Sequence, residues 1–224
     1  MATVILLLAG SGTRLGGETP KQFIKINGKS LFVYPLETFA NNPNIDDIVL
    51  VVPDGYDGDV LAELDDLKIK KIHEVIIGGK TRAESVEIAL RFLEDIGTRD
   101  DEIILIHDAA RVLVSDAIIN KNIEVCEEYD AACTVVPCSD TLFRGDSGEI
   151  NSVIDRQNVY NAQTPQTFRY SLIKKAHKER QIEATDDAQL LIKINQPVHI
   201  VMGSKLNFKV TTSEDLDILK SLLR

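Results

Sequence analysis

Gly10, Gly12, Gly16 and Gly17 fall in one short stretch of the chain, with Arg14 among them and Lys21 just beyond. Glycines let backbone N–H groups come close to an anion, and fixed cations can then neutralise it. The apolar run 4–8 (VILLL) precedes this loop and reads as a buried strand. A loop of this kind at a strand end suits a nucleoside triphosphate. Two commoner phosphate loops do not fit. A dinucleotide fingerprint needs glycine three residues past Gly12, where Leu15 stands, and a P-loop needs lysine after Gly17, where Glu18 stands. What remains is G-x-G-x-R-x-G followed by Pro20-Lys21. The plainer alternative is a Gly-rich turn with solvent-facing charges, against which the clustering of four glycines and two cations argues.

Other polar clusters invite chemistry. The run GGKTRAES, 78–85, joins a strand end to a helix start, where free N–H groups and the Ser85 hydroxyl suit a base or ribose; an ordinary capped connection is the alternative. The run HDAAR, 107–111, puts Asp108 and Arg111 at a strand's carboxyl end. Asp108 suits Mg²⁺, which binds through one or two carboxylates plus substrate phosphates, and Arg111 suits a second anion. An Asp–Arg ion pair closing a loop is the alternative, and His107 reads as a hydrogen-bonded structural residue. Asp155-Arg156 and QTPQ, 163–166, come next. Thr185 heads TDDA, where it would also pass as a helix N-cap. In NFKVTT, 207–212, Lys209 is the functional candidate on a short strand, with Ser213 capping the last helix.

The elements that must position these groups alternate. Strands are predicted over 48–52, 72–77, 103–106 and 131–137, and helices over 31–39, 82–96 and 118–129. Continuous apolar strands with helices between them predict an α/β fold with a parallel sheet covered on both faces. Ligands then bind beyond the carboxyl ends of the strands, where the clusters fall. Residues 139–161 differ, with a Gly-Asp-Ser-Gly turn between two β-compatible stretches. They predict a projecting hairpin arm that packs on something else, such as a second subunit. The expectation is a single domain, 1–224, carrying this arm.

Composition narrows the partners. A formal net charge of −10 disfavours polymeric nucleic acid and anionic membranes, though cations clustered locally still hold a nucleotide. Cys126, Cys133 and Cys138 have no metal-finger or C-x-x-C spacing and read as reduced, packed thiols. With no signal-peptide pattern and no apolar run approaching ~18 residues, the reading is cytoplasmic.

Taken together and in order, LLLAGSGTRLG–PKQF, GGKTRAESV, HDAAR, SDT, DRQNVYNAQTPQTF, TDDA and NFKVTT resemble the methylerythritol phosphate cytidylyltransferases over nearly the whole chain. The first motif alone would indicate only the wider nucleotidyltransferase superfamily, which includes sugar-nucleotide pyrophosphorylases. The ribitol-5-phosphate cytidylyltransferases share most of the set, but TDDA and DR-x-x-x-Y-x-A-QTPQ are closer to the methylerythritol branch. The chain departs from that branch at Val112, where proline usually follows HDAAR, and at Leu8, where alanine is usual.

The resemblance implies a Rossmann-like, mostly parallel sheet with helices on both faces, of the nucleotide-diphospho-sugar transferase type, plus the arm. It implies transfer of CMP from CTP to a polyol phosphate, with release of pyrophosphate and with Mg²⁺ or another divalent cation on Asp108. Leu8, Ala9, Gly10, Gly12, Gly16, Gly79, Arg82 and Ser85 would bind the nucleotide. Arg14, Lys21, Lys209 and Arg156 would be catalytic. Asp108, Arg111, Thr141, Thr164 and Thr185 would bind the acceptor. A homodimer is implied, its arm delivering Thr141 and Arg156 into the neighbour's site. The rivals are the ribitol enzyme, a sugar 1-phosphate pyrophosphorylase, and a non-catalytic nucleotide-binding regulator; the last would be expected to have lost Lys21, Asp108 or Lys209, all of which are present.

Overall fold

The computed structural model describes residues 1–9, 20–179 and 185–223. Its strands are β1 (Ala2–Leu7), β2 (Lys25–Ile26), β3 (Lys29–Ser30), β4 (Asp47–Val52), β5 (Ile72–Ile77), β6 (Ile103–Asp108), β7 (Ala131–Pro137), β8 (Leu142–Asp146), β9 (Glu149–Ile154), β10 (Tyr160–Arg169) and β11 (His199–Met202). Its helices are α1 (Val33–Asn41), α2 (Asp57–Leu67), α3 (Arg82–Asp95), α4 (Asp116–Tyr129), α5 (Tyr170–Lys178), α6 (Asp187–Lys193) and α7 (Ser213–Leu222). Gly10, Gly12, Arg14 and Gly16 lie outside the described residues.

Seven strands form one sheet in the order β11-β7-β10-β6-β1-β4-β5. Strand side chains alternate between faces, so apolar runs feed two cores at once. Val4, Leu6 and Leu8 pack with Leu36 and Phe39 of α1, Val60 of α2 and Ile119 of α4. Ile5, Leu7 and Ala9 pack on the other face with Val86 and Leu90 of α3, Ile173 of α5 and Leu191 of α6. Leu8 is therefore a core residue, and its backbone N–H donates to the Val51 carbonyl at 2.8 Å. Cys126 and Cys133 are buried one in each core, and burial pushes both thiols up to about 12. No helix among the described residues is long and apolar enough to cross a membrane.

One strand corrects the expectation of a parallel sheet. β10 runs antiparallel to both β6 and β7, while the remaining neighbours are parallel. The chain re-enters the sheet directly from the arm, and antiparallel pairing needs no crossover helix. The start of β10 therefore lies at the carboxyl ends of β6 and β7. Between Ala162 and Gln166 its pairing with β7 shifts register, which frees Gln163 and Thr164 from a regular ladder at that edge.

The arm is the hairpin β8–β9, turning through Ser147 and Gly148, whose φ values of +53° and +89° are those of a type I′ turn. Phe143, Ile150 and Val153 on it are exposed within the chain.

Local readings also shift. Asp186, not Thr185, caps α6 by accepting from the Gln189 N–H, and Thr212, not Ser213, caps α7 in a capping box with Asp215. α3 ends one residue early, leaving Ile96 exposed. Residues 207–212 form no strand: among the described residues their backbone N–H groups make no ladder with the sheet, and that of Val210 donates to the Ala110 carbonyl in the turn after β6. Instead Val210 inserts into a third, smaller core with Ile26, Leu31, Val112 and Leu219. Val112 thus fills an apolar seat beneath the segment that carries Lys209. We expect Leu219→Ala, which empties the α7 side of that seat, to cost ~2–5 kcal/mol of unfolding free energy, measured by urea denaturation.

Candidate active site

Asp108 closes β6 at the sheet's carboxyl edge and gathers cations from three separate parts of the chain. Arg82 Nε, at the start of α3, donates to Oδ1 at 3.0 Å, and Lys209 Nζ donates to Oδ2 at 2.8 Å. Arg111 Nε lies 4.0 Å from Oδ2. Burial alone would push the Asp108 carboxyl up; Arg82, Lys209 and Arg111 together outweigh it and hold the group well below the carboxylate range. It stays an anion at every physiological pH.

Both arginines are fixed from a second side, and the segment that carries Lys209 is tied down. The Arg111 guanidinium donates to the carbonyls of Asn207 (3.1 Å) and Ala162 (3.3 Å). Asn207 Nδ2 donates to the Thr164 carbonyl at 2.8 Å, tying the Lys209 segment to β10. Lys21 Nζ donates to the Val210 carbonyl at 2.7 Å, placing it one residue along the chain from Lys209. Arg82 Nη1 donates at 2.7 Å to Asp187 Oδ2, a buried carboxylate at the first residue of α6. Burial would lower the Arg82 pKa, but Asp187 and Asp108 more than offset it. Three cations thus face two carboxylates. Arg82 Nη2 and Arg111 Nε are buried without a hydrogen-bond acceptor among the described residues, and such donors suit an anionic oxygen.

The loop 78–81 lies beside this cluster and closes on the end of β1. A Cβ on Gly78 would come within 2.8 Å of Ala9 Cβ and 2.9 Å of Val51, so only glycine permits the approach. Ser85 is fully buried; its hydroxyl donates to the Thr81 carbonyl and accepts the Gly79 N–H at 3.1 Å. Ser85 therefore shapes the loop from within. Thr81 caps α3 in a capping box with Glu84.

Thr164 has a similar inward role. Its Oγ1 accepts the Asp108 N–H at 3.1 Å and lies 3.0 Å from His107 Nδ1. His107 Nε2 lies 3.1 Å from the Arg111 carbonyl, which can only accept. The hydrogen-bond pattern assigns the imidazole proton to Nε2, so Thr164 donates to Nδ1. His107 is wholly buried, and burial, partly opposed by its bond to Arg111, lowers its pKa to about 4. It is a neutral strut, as its sequence position suggested.

Thr141, Arg156 and Thr185 stand apart. Arg156 bonds the Ser139 carbonyl at the base of the arm, and Thr141 is exposed nearby. Among the described residues no hydrogen bond or ion pair joins either to the Asp108 cluster. Thr185 is exposed just before Asp187, its N–H donating to Gln189 Oε1. Sequence reasoning passed over Asp187, His177, Gln166 and Asn207. All four are buried polar residues in the structure.

The neutral His107 has a consequence for stability. Between about pH 4 and ~6.5 the unfolded chain binds a proton there that the folded chain does not, so stability falls as pH falls through that window. We expect the melting temperature to drop from pH 7 to pH 4.5, His107 contributing up to ~3 kcal/mol of the loss. The dependence should flatten in His107→Gln, followed by calorimetry.

Residues 2–224 match the family model for 2-C-methyl-D-erythritol 4-phosphate cytidylyltransferase. The 2-C-methyl-D-erythritol 4-phosphate cytidylyltransferase of Thermotoga neapolitana is 38% identical over 224 residues, covering 100% of this chain and 97% of that protein. The ribitol-5-phosphate cytidylyltransferase of Lacticaseibacillus paracasei is 34% identical, covering 100% and 98%. Among solved structures, the 4-diphosphocytidyl-2C-methyl-D-erythritol synthase of Anaerococcus prevotii aligns with a TM-score of 0.83 at 27% identity, covering 99% of this chain and 95% of that one. The fold and these likenesses agree, and the chain belongs to the 2-C-methyl-D-erythritol 4-phosphate cytidylyltransferase family.

Proposed function

We propose that this protein transfers CMP from CTP to 2-C-methyl-D-erythritol 4-phosphate, releasing pyrophosphate. One observation supports the reading: a single buried carboxylate, Asp108, gathers Arg82, Arg111 and Lys209 at the carboxyl edge of the sheet, a set of cations suited to phosphates. A phosphomonoester has a second pKa near ~6, so the acceptor is already an oxyanion at neutral pH. Its oxygen forms a bond to the α-phosphorus as the bond to the bridging oxygen of pyrophosphate breaks. No general base is required. The residues supply position and neutralisation of charge.

In this reading Gly10, Gly12 and Gly16 bind the triphosphate, and Arg14 and Lys21 neutralise the departing pyrophosphate. Ala9, Gly79, Arg82 and the loop that Ser85 braces border the nucleoside. Lys209 serves the α-phosphate or the attacking phosphate. Arg111 and Thr185 would bind the acceptor, Thr164 would brace that side through Asp108 and His107, and a partner copy would bring Thr141 and Arg156 on its arm. The exposed apolar residues of the arm support that homodimer.

Mg²⁺ fits as a cation carried by the nucleotide. No group of three or more metal-ligating side chains occurs among the described residues, which argues against a protein cage. Mg²⁺ keeps several waters and takes phosphate oxygens with one or two carboxylates. Asp108 would hold it, since a carboxylate offers about four lone-pair sites and Arg82 and Lys209 occupy one each. When bound it supplies further neutralisation of phosphate charge. The setting is the cytoplasm, a reading supported by three free thiols.

Pyrophosphate release with CTP and Mg²⁺ tests the assignment, methylerythritol phosphate and ribitol 5-phosphate being run in parallel. We expect the first acceptor to give the higher kcat/KM; the reverse preference would reassign the protein to the reaction of its ribitol-phosphate relative. Lys21→Ala should lower kcat by ~10²–10³-fold with the fold intact, the usual cost of one preorganised charge contact. Arg156→Ala should raise KM for the acceptor and leave KM for CTP near wild type.

A further inference from the structure

Behind Arg82 lies a second buried carboxylate that no motif assigns to the chemistry. Asp187 is 1% exposed. One of its oxygens accepts from Arg82 Nη1 at 2.7 Å, and the other lies 3.1 Å from His177 Nε2. Its backbone N–H and that of Ala188 both donate to Gln166 Oε1, at 3.0 and 2.9 Å. His177 comes from α5, Asp187 from α6 and Gln166 from β10, so three elements fix one carboxylate against one guanidinium. Burial pushes the Asp187 carboxyl up; Arg82 and His177 outweigh it, and it is held low as an anion. A buried charge so heavily tied down has a defined position, and Arg82 inherits it.

We propose that Asp187 is a positioning residue that divides Arg82 between two carboxylates and thereby leaves Asp108 free to hold Lys209. A guanidinium is a planar fork that prefers to engage a carboxylate with two N–H groups. With Asp187 in place, Arg82 gives Nη1 to it and only Nε to Asp108 Oδ1, so Oδ2 is left for Lys209. Without the Asp187 charge, Arg82 swings both arms onto Asp108 and competes with Lys209 for Oδ2. The effect of Asp187 therefore travels through the ammonium group of Lys209. His177 acts one step further back, by holding the oxygen of Asp187 that Arg82 does not use.

This inference rests on the cytidylyl-transfer reading, and a double-mutant cycle separates the two. Asp187→Asn keeps the volume and one acceptor while removing the charge. We expect it to lower kcat/KM ~10²-fold, the scale of a misplaced reacting group, but to lower it less than threefold further in a Lys209→Ala background. A role confined to folding would multiply with Lys209→Ala instead, and full additivity overturns the proposal. If Asp187→Asn fails to fold, His177→Leu against His177→Gln carries the test with the Asp187 charge intact. Gln retains a donor near Nε2 and should recover most of what Leu loses; equal activity in the two overturns the proposal. Should the wild-type protein release no pyrophosphate with either acceptor, the functional reading fails. The same cycle is then read on CTP affinity by calorimetry, where coupling upholds the proposal and additivity overturns it.

Discussion

A carboxylate that must be buried cannot be left alone, and that requirement at Asp108 organises the carboxyl edge of this sheet. Moving one ion from water into a protein interior costs several kcal/mol even after relaxation. Asp108 sits at the end of a strand whose other residues are wholly apolar or, in His107, neutral. The cations that offset its burial come from the start of α3, from the turn after β6 and from the segment before α7, far apart in sequence. Folding of two remote pieces, the start of α3 and the segment before α7, is thereby coupled to one side chain. The same ion pairs that make the burial tolerable gather three cations at the carboxyl edge of the sheet.

The coupling explains features that look incidental one by one. Residues 207–210 need no strand, because Asn207 is tied to β10, Val210 sits in the third core and Lys209 is drawn to Asp108. The antiparallel course of β10 brings Gln163 and Thr164 to an edge where a parallel strand would have put only a strand end. Thr164 then bridges the Asp108 backbone and His107, and His107 props the Arg111 carbonyl. Val112 follows from the same logic, since the position calls for an apolar filler beneath Val210 and valine provides one.

Much of the frame was legible in the sequence because both of its signals are local. β5 and β7 match their apolar runs to the residue, since a buried strand declares itself by composition alone. α2 was invisible because its apolar residues are sparse among acids, and α5 because its stripe of Tyr170, Ile173 and Ala176 hides among lysines. The direction of β10 could not be read, as QTPQTF is compatible with either sense. In the candidate site, Asp108 was legible as a charge ending an apolar strand, and Arg82, Arg111 and Lys209 as cations in polar clusters between elements. Ser85 and Thr164 were legible as positions but not in orientation: a hydroxyl can turn inward as easily as outward, and here both bond the wall. Asp187 was passed over because TDDA reads equally well as the acidic first turn of a helix.

The balance of charge is as informative as its location. Among the described residues three cations face two carboxylates around Asp108, with Lys21 close by, while the reactants of the proposed transfer bring several negative charges. A site meant only to bind phosphate tightly would gain by discarding both acids. Keeping them weakens the field but fixes its geometry, because a cation already anchored to a buried carboxylate need not be ordered when the reactants arrive. Preorganised charge favours the transition state over the bound substrates, whereas loose excess charge would stabilise both alike. In the proposed reaction the two acids would share that preorganisation, Asp108 by gathering three cations and Asp187 by holding one arm of Arg82.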